Sequence, residues 1–169
     1  MTSFRVLTIV VVVLALSVVM FGAGPHDSLS CTGCHGIHNA KTGELIFAVE
    51  PNKKAINPAT KQPFTGSSAL CLGCHATEAE GGMGIAPISA SHSHPIGVVP
   101  NPKRASVPAN DLRDNKLECV GCHDPHPSNA NYKYLRVDTA GGGKMENFCA
   151  SCHSAEAGPV ATKAAQASK

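Results

Sequence analysis

Four short stretches of this 169-residue chain hold the residue types that do chemistry. In Cys119-Val120-Gly121-Cys122-His123, two thiols lie three positions apart and an imidazole follows the second directly. The same spacing recurs at Cys31–His35, Cys71–His75 and Cys149–His153, and the four copies use all eight cysteines. Cys-x-x-Cys-His is the attachment signature of a c-type haem. The thiols add to the porphyrin vinyl groups, and the histidine binds the iron from one face. Cys31, Cys34, Cys71, Cys74, Cys119, Cys122, Cys149 and Cys152 are therefore read as thioether-forming. His35, His75, His123 and His153 are read as proximal ligands, and the implied cofactors are four covalently bound haem c groups. Zinc held by paired Cys-x-x-Cys, a disulfide framework and a redox-active dithiol are the competing chemistries. None of them explains a histidine after every second cysteine.

The opposite faces of the irons need ligands too. Of nine histidines, five lie outside the motifs: His26, His38, His92, His94 and His126. Five candidates for four irons make bis-histidine ligation throughout the leading reading. His38 and His126 each sit three residues beyond a proximal histidine. A side chain there cannot pass around its own porphyrin, so each must serve a different haem. For His126 that is most simply another haem of this chain; for His38 the haem could also belong to a neighbouring subunit. His92 and His94 alternate in Ser91–Pro95, which reads as extended because a residue before proline is pushed out of the helical region. The first distal set is His38, His92, His94 and His126, with His26 surplus; the alternative puts His26 in place of His92. Met83 and Met145 are better suited to packing. Irons held on both faces leave no place for substrate. Outer-sphere electron transfer at comparatively low potential is the expected role, and the chain is not expected to be an enzyme.

Little polypeptide is available to position these groups. Aromatic residues make up 4% of the chain, tryptophan is missing, and much of the 43% hydrophobic content falls in the first 24 residues. With 16 glycines and 12 prolines the remainder reads as loop-rich. The expected fold is a mostly irregular multihaem cytochrome c, with short helices at the Cys-x-x-Cys-His motifs and one or two short β-hairpin strands. Its core would be packed by haem. Net charge is +2 without a basic stripe, so no nucleic-acid partner is expected.

Two segments are expected, 1–24 and 25–169. Met1–Gly24, with Arg5 ahead of the apolar run Val6–Phe21, reads as a signal peptide cut after Gly24; a retained membrane anchor is the alternative. The tetrahaem domain follows, outside the cytoplasmic membrane in either case. Within it, helices are expected over Ser67–Glu80, capped by Ser67 or Ser68, and over Met145–Ala157. Leu45–Val49 and Asn131–Val137 read as strands, and Val98–Val107 as irregular.

Several of these stretches carry a family resemblance. Cys119–Pro127 with Ser128–Tyr132 and Cys149–His153 resembles the doubled Cys-x-x-Cys-His domain of exported multihaem cytochromes. Adding Cys31–Asn39 and Ser91–Pro95, the chain is similar to the outer-surface, filament-forming tetrahaem cytochromes, the OmcE-like nanowires. The resemblance implies a homopolymer joined head to tail with its haems in one stack. It also implies an extracellular location, and redox partner proteins or extracellular acceptors at the ends. A histidine near one subunit's N-terminus would ligate a haem of its neighbour, the role carried here to His38. A soluble periplasmic shuttle and a membrane-anchored tetrahaem quinol dehydrogenase are the competing readings.

Overall fold

The computed structural model describes residues 25–36, 38, 40–41, 47–126 and 128–153. The export segment, residues 42–46 (with Leu45 and Ile46 of the first expected strand) and the tail from residue 154 lie outside the described residues. Among the described residues no helix is long and apolar enough to cross a membrane.

Regular structure gathers at the cysteine motifs, and loops fill the rest. Helices α1 (Ser30–Cys34), α2 (Gly66–His75) and α3 (Cys119–Cys122) each bear both cysteines of one motif, and α4 (Met145–Cys149) bears the first cysteine of the fourth. A two-stranded antiparallel sheet pairs β1 (Leu112–Arg113) with β2 (Lys116–Leu117). Its turn residues Asp114 and Asn115 take φ of 49° and 61°, the left-handed conformation that tight hairpins demand and that Asp and Asn tolerate. That Asp-Asn signal was open to sequence reading and did not figure in it.

The expected elements change in instructive ways. Helix α2 stops at His75 rather than Glu80, because Thr77 and Glu80 bond to each other and close a turn of their own. Its N-cap is Thr65, without a side-chain cap bond, rather than Ser67 or Ser68. Ser68 is instead fully buried, its hydroxyl accepting the Cys119 N–H at 3.2 Å. Asn131–Val137 is not a strand: Tyr132–Tyr134 forms a 3-10 turn, and only Leu135 bridges, to His123. Ser91–Pro95 is not extended either; the His92 N–H bonds the Ser89 carbonyl and the chain turns there. Of the first expected strand, Phe47 makes an isolated antiparallel bridge with His35. Helix α4 ends at Cys149 and continues as a turn, and Val98–Val107 is irregular apart from a bridge from Val98 to Leu117.

Packing is thin. The core cluster is Ala55, Phe64, Ala69, Leu72 and Ala76, with Ala90 and Ile96 against it. Buried asparagines hold the loops where ladders are lacking. The Asn52 amide donates to the Leu72 and Glu80 carbonyls, and its oxygen accepts from the Lys54 and Ala55 N–H groups. Glu118, 2% exposed, accepts the Ser68 N–H at 2.9 Å and so fastens α2 to α3.

Glycine in the second and third motifs marks a crossing of two segments. A Cβ at Gly73 would stand 2.7 Å from the Glu50 carbonyl oxygen, and one at Gly121 would overlap the carbonyl of Asp111. Backbone cannot move aside as a side-chain tip can, so Gly121→Ala is expected to destabilise the protein by about 1–3 kcal/mol. Denaturant melts of the two proteins check this.

Candidate functional site

Each motif is built on one helical turn, which brings cysteines at i and i+3 to the same side. Where the turn ends, the histidine N–H closes back on the first cysteine's carbonyl: His35 on Cys31 at 2.8 Å, His123 on Cys119 at 3.0 Å and His153 on Cys149 at 2.8 Å. Two of these rings are aimed by the backbone. His75 Nδ1 donates to the Ile85 carbonyl at 2.7 Å and His123 Nδ1 to the Lys133 carbonyl at 2.8 Å. A proton fixed on Nδ1 leaves the Nε2 lone pair free for a metal.

Five thiols are pushed up, and one, Cys119, is held below its ordinary value by its hydrogen bond with Cys71. Burial pushes Cys34 up; burial and then Asp111 push Cys152 up. Cys122 is pushed up to about 11 by burial and then by Cys152. Cys74 is raised by burial and then by Cys34, and Cys71 by its hydrogen bond with Cys119 and by burial. A reactive Cys-x-x-Cys needs the opposite shift. All eight cysteines are free, so the disulfide framework is not formed. Among the described residues no three His, Cys, Asp or Glu side chains converge as a bare-metal site would require.

These contacts also give the motifs an order in space. Cys34 acts on Cys74, Cys71 bonds Cys119, and Cys152 acts on Cys122. The first motif thus neighbours the second, the second the third and the third the fourth. Contact alternates between second and first cysteines along the way.

Two of the remaining histidines face motif histidines. The His26 and His75 rings have centroids 5.8 Å apart at 44°, and His94 and His153 are 6.1 Å apart at 56°. A first-row metal–imidazole bond of about 2 Å sets two rings facing across one ion roughly 6 Å apart, centroid to centroid. Both pairs therefore fit an iron between them. Burial, then His75, holds the His26 imidazole below its ordinary pKa, and its Nδ1 is buried without a hydrogen-bond partner among the described residues.

His126 and His35 both line a cavity of about 1010 Å³, with Cys31, Cys34, Phe47, Phe64 and Leu70 among its walls. That volume is at the upper end for small-molecule and cofactor pockets, and an apolar macrocycle fits this lining. His126 Nδ1 is 2.6 Å from Asp124 Oδ1, a carboxylate–histidine pair of the kind that orients metal ligands. Burial works to raise the Asp124 carboxyl, but the hydrogen bonds from His126 prevail and hold it below the usual range. The His92 Nδ1 lies 2.9 Å from the Ser89 hydroxyl and 3.2 Å from that of Ser91. His38 is exposed.

Sequence reasoning did not single out Tyr134, Lys133 or Asp124. Asp124 had a visible signal, a carboxylate two residues before a spare histidine. Lys133 acts through its carbonyl, which residue type does not advertise.

Short motif helices in an otherwise irregular chain are consistent with a small multihaem cytochrome. Residues 112–158, which hold the third and fourth motifs, match the family described as the doubled CXXCH motif. The match supports a multihaem c-type cytochrome with covalently bound haem c, a class whose members are generally electron carriers rather than enzymes. No curated protein and no solved structure matches the chain.

Proposed function

We propose that this chain carries electrons through four bis-histidine haem c groups and polymerises head to tail into an extracellular conductive filament. What carries the electron-transfer reading is the match of residues 112–158 to the doubled CXXCH motif family, and hydrogen bonds of Ser68 with Glu118 and Cys119 bring the second motif against the third. When bound, the haems supply reversible one-electron exchange between ferric and ferrous iron, at potentials kept low by imidazole on both faces.

The residues divide this work. The eight cysteines tether the four groups at close quarters. His26 serves opposite His75, and His94 opposite His153, from their facing rings. His126 serves opposite His35 across their shared cavity. This is the distal set that employs His26 and leaves His92 over. Asp124 accepts the His126 Nδ1–H and makes that ring a stronger donor. His123 and His38 are both exposed, and a His38 from the next subunit completes the His123 site. Such a bond would fix a heterologous interface, the kind that grows an open fibre. The polymer, the cell-surface location and the external acceptors draw their support from the family resemblance.

Electron microscopy of surface-sheared material, with haem staining, tests the filament. Thin uniform filaments are expected. Discrete particles would replace the polymer with a periplasmic shuttle, and a signal confined to membranes would favour the anchored quinol dehydrogenase. His38→Ala is expected to abolish filaments and leave one haem high-spin. Assembly of that variant with every iron low-spin would rule out His38 as the bridge.

A further inference from the structure

We infer that the Lys133–Tyr134 turn is an outer-shell element shared by two haem sites, with Tyr134 the positioning residue for the plane of the His26 ring. The inference deepens the reading above, since it rests on His26 and His75 being axial ligands of one iron.

Tyr134 holds His26 at two points. Its ring stacks on the imidazole, with centroids 5.1 Å apart and planes 16° from parallel. Its hydroxyl accepts the His26 backbone N–H at 3.0 Å and donates to Asp27 Oδ1 at 3.4 Å. Besides the tyrosine, a hydrogen bond with the Pro125 backbone acts on the His26 ring. His26 precedes a 3-10 turn, Asp27–Leu29, that buries no residue, and its Nδ1 has no hydrogen-bond partner among the described residues. Without the tyrosine, the ring would lose the stack that fixes its plane.

The adjoining carbonyl, that of Lys133, receives the His123 Nδ1–H. Consecutive residues thus orient the distal ligand of one site and the proximal ligand of the next. Both take left-handed backbone, φ 50° at Lys133 and 57° at Tyr134, a conformation kept only where surroundings impose it. Asn129 supplies much of that constraint: its amide lies 2.8 Å from the Tyr134 carbonyl, 3.0 Å from that of Asp124 and 3.2 Å from that of Leu135. The Asp124 N–H also bonds the Tyr134 carbonyl, at 2.8 Å.

Electron paramagnetic resonance of the ferric holoprotein tests this, because low-spin g values follow the relative planes of the two imidazoles. His26→Ala should turn one haem high-spin; if all stay low-spin, the His26–His75 reading itself fails. Tyr134→Leu should keep the full haem content and shift one low-spin signal, while Tyr134→Phe, which keeps the stack, should restore the wild-type spectrum. Asn129→Ala touches no ring and should shift two signals; it also decides the matter if Tyr134→Leu does not accumulate. A wild-type spectrum in Tyr134→Leu, a shifted one in Tyr134→Phe, or fewer than two shifted signals in Asn129→Ala overturns the inference while leaving His26 as a ligand.

Discussion

Expressed without covalent haem, the chain is expected to lose its cooperative melting transition altogether. The buried hydrophobic residues among those described are nine, and four of them, Ala55, Ala69, Ala76 and Ala150, contribute little apolar surface. Against that small gain stands the conformational entropy of ordering long loops, about 1–2 kcal/mol per residue for the backbone alone. Local structure cannot make up the difference. Among the described residues the longest helix has 10 residues and the other α-helices 4 or 5, all below the length at which isolated helices hold in water. A sheet of two residues per strand is weaker still. The cavity of about 1010 Å³, with Phe64 and Leu70 among its walls, is large enough for a macrocycle to add apolar contact. Folding and haem attachment are therefore coupled, as metal binding and folding are in small metal-built domains. Replacing the eight cysteines with serine, or withholding haem during expression, and following ellipticity on heating checks this. A sharp transition in the haem-free chain would show that the polypeptide core suffices.

His94→Ala is expected to turn one haem high-spin, changing roughly a quarter of the haem absorbance if four are bound, whereas His92→Ala should leave every haem low-spin. The two residues are separated by a single serine, and composition gives no reason to prefer either. Their surroundings do. His94 faces His153 at 6.1 Å between centroids, while His92 is turned toward the hydroxyls of Ser89 and Ser91. With His94 as the ligand opposite His153, alanine at position 94 would leave that iron to water or to five-coordination. Absorption and magnetic circular dichroism of the purified variants separate the outcomes. A high-spin haem in His92→Ala with none in His94→Ala would exchange the two assignments.

Chemistry was written in the sequence because it is local. A cysteine pair at i and i+3 followed by histidine needs only one helical turn to present its groups, so spacing alone named the four attachment motifs. Loop-rich architecture was equally legible from glycine, proline and the shortage of large apolar residues. Secondary structure between the motifs was not. Asn131–Val137 has the aromatic and β-branched composition of a strand, but the bonds from His123 and Asn129 turn its carbonyls into a left-handed bend. Ser91–Pro95 reads as extended from Pro95, yet the His92 N–H finds the Ser89 carbonyl and the segment curls.

By itself, then, the sequence determined which residues can tether haem and how many spare imidazoles exist. Tertiary structure decided which imidazole faces which, and in what order the motifs lie. Those are relations between residues as far apart as His26 and His75, or Cys71 and Cys119. They depend on where loops held by Asn52, Glu118 and Asn129 place their ends. No local pattern encodes that placement, because a buried side-chain hydrogen bond closes a loop whose length and composition leave its path free.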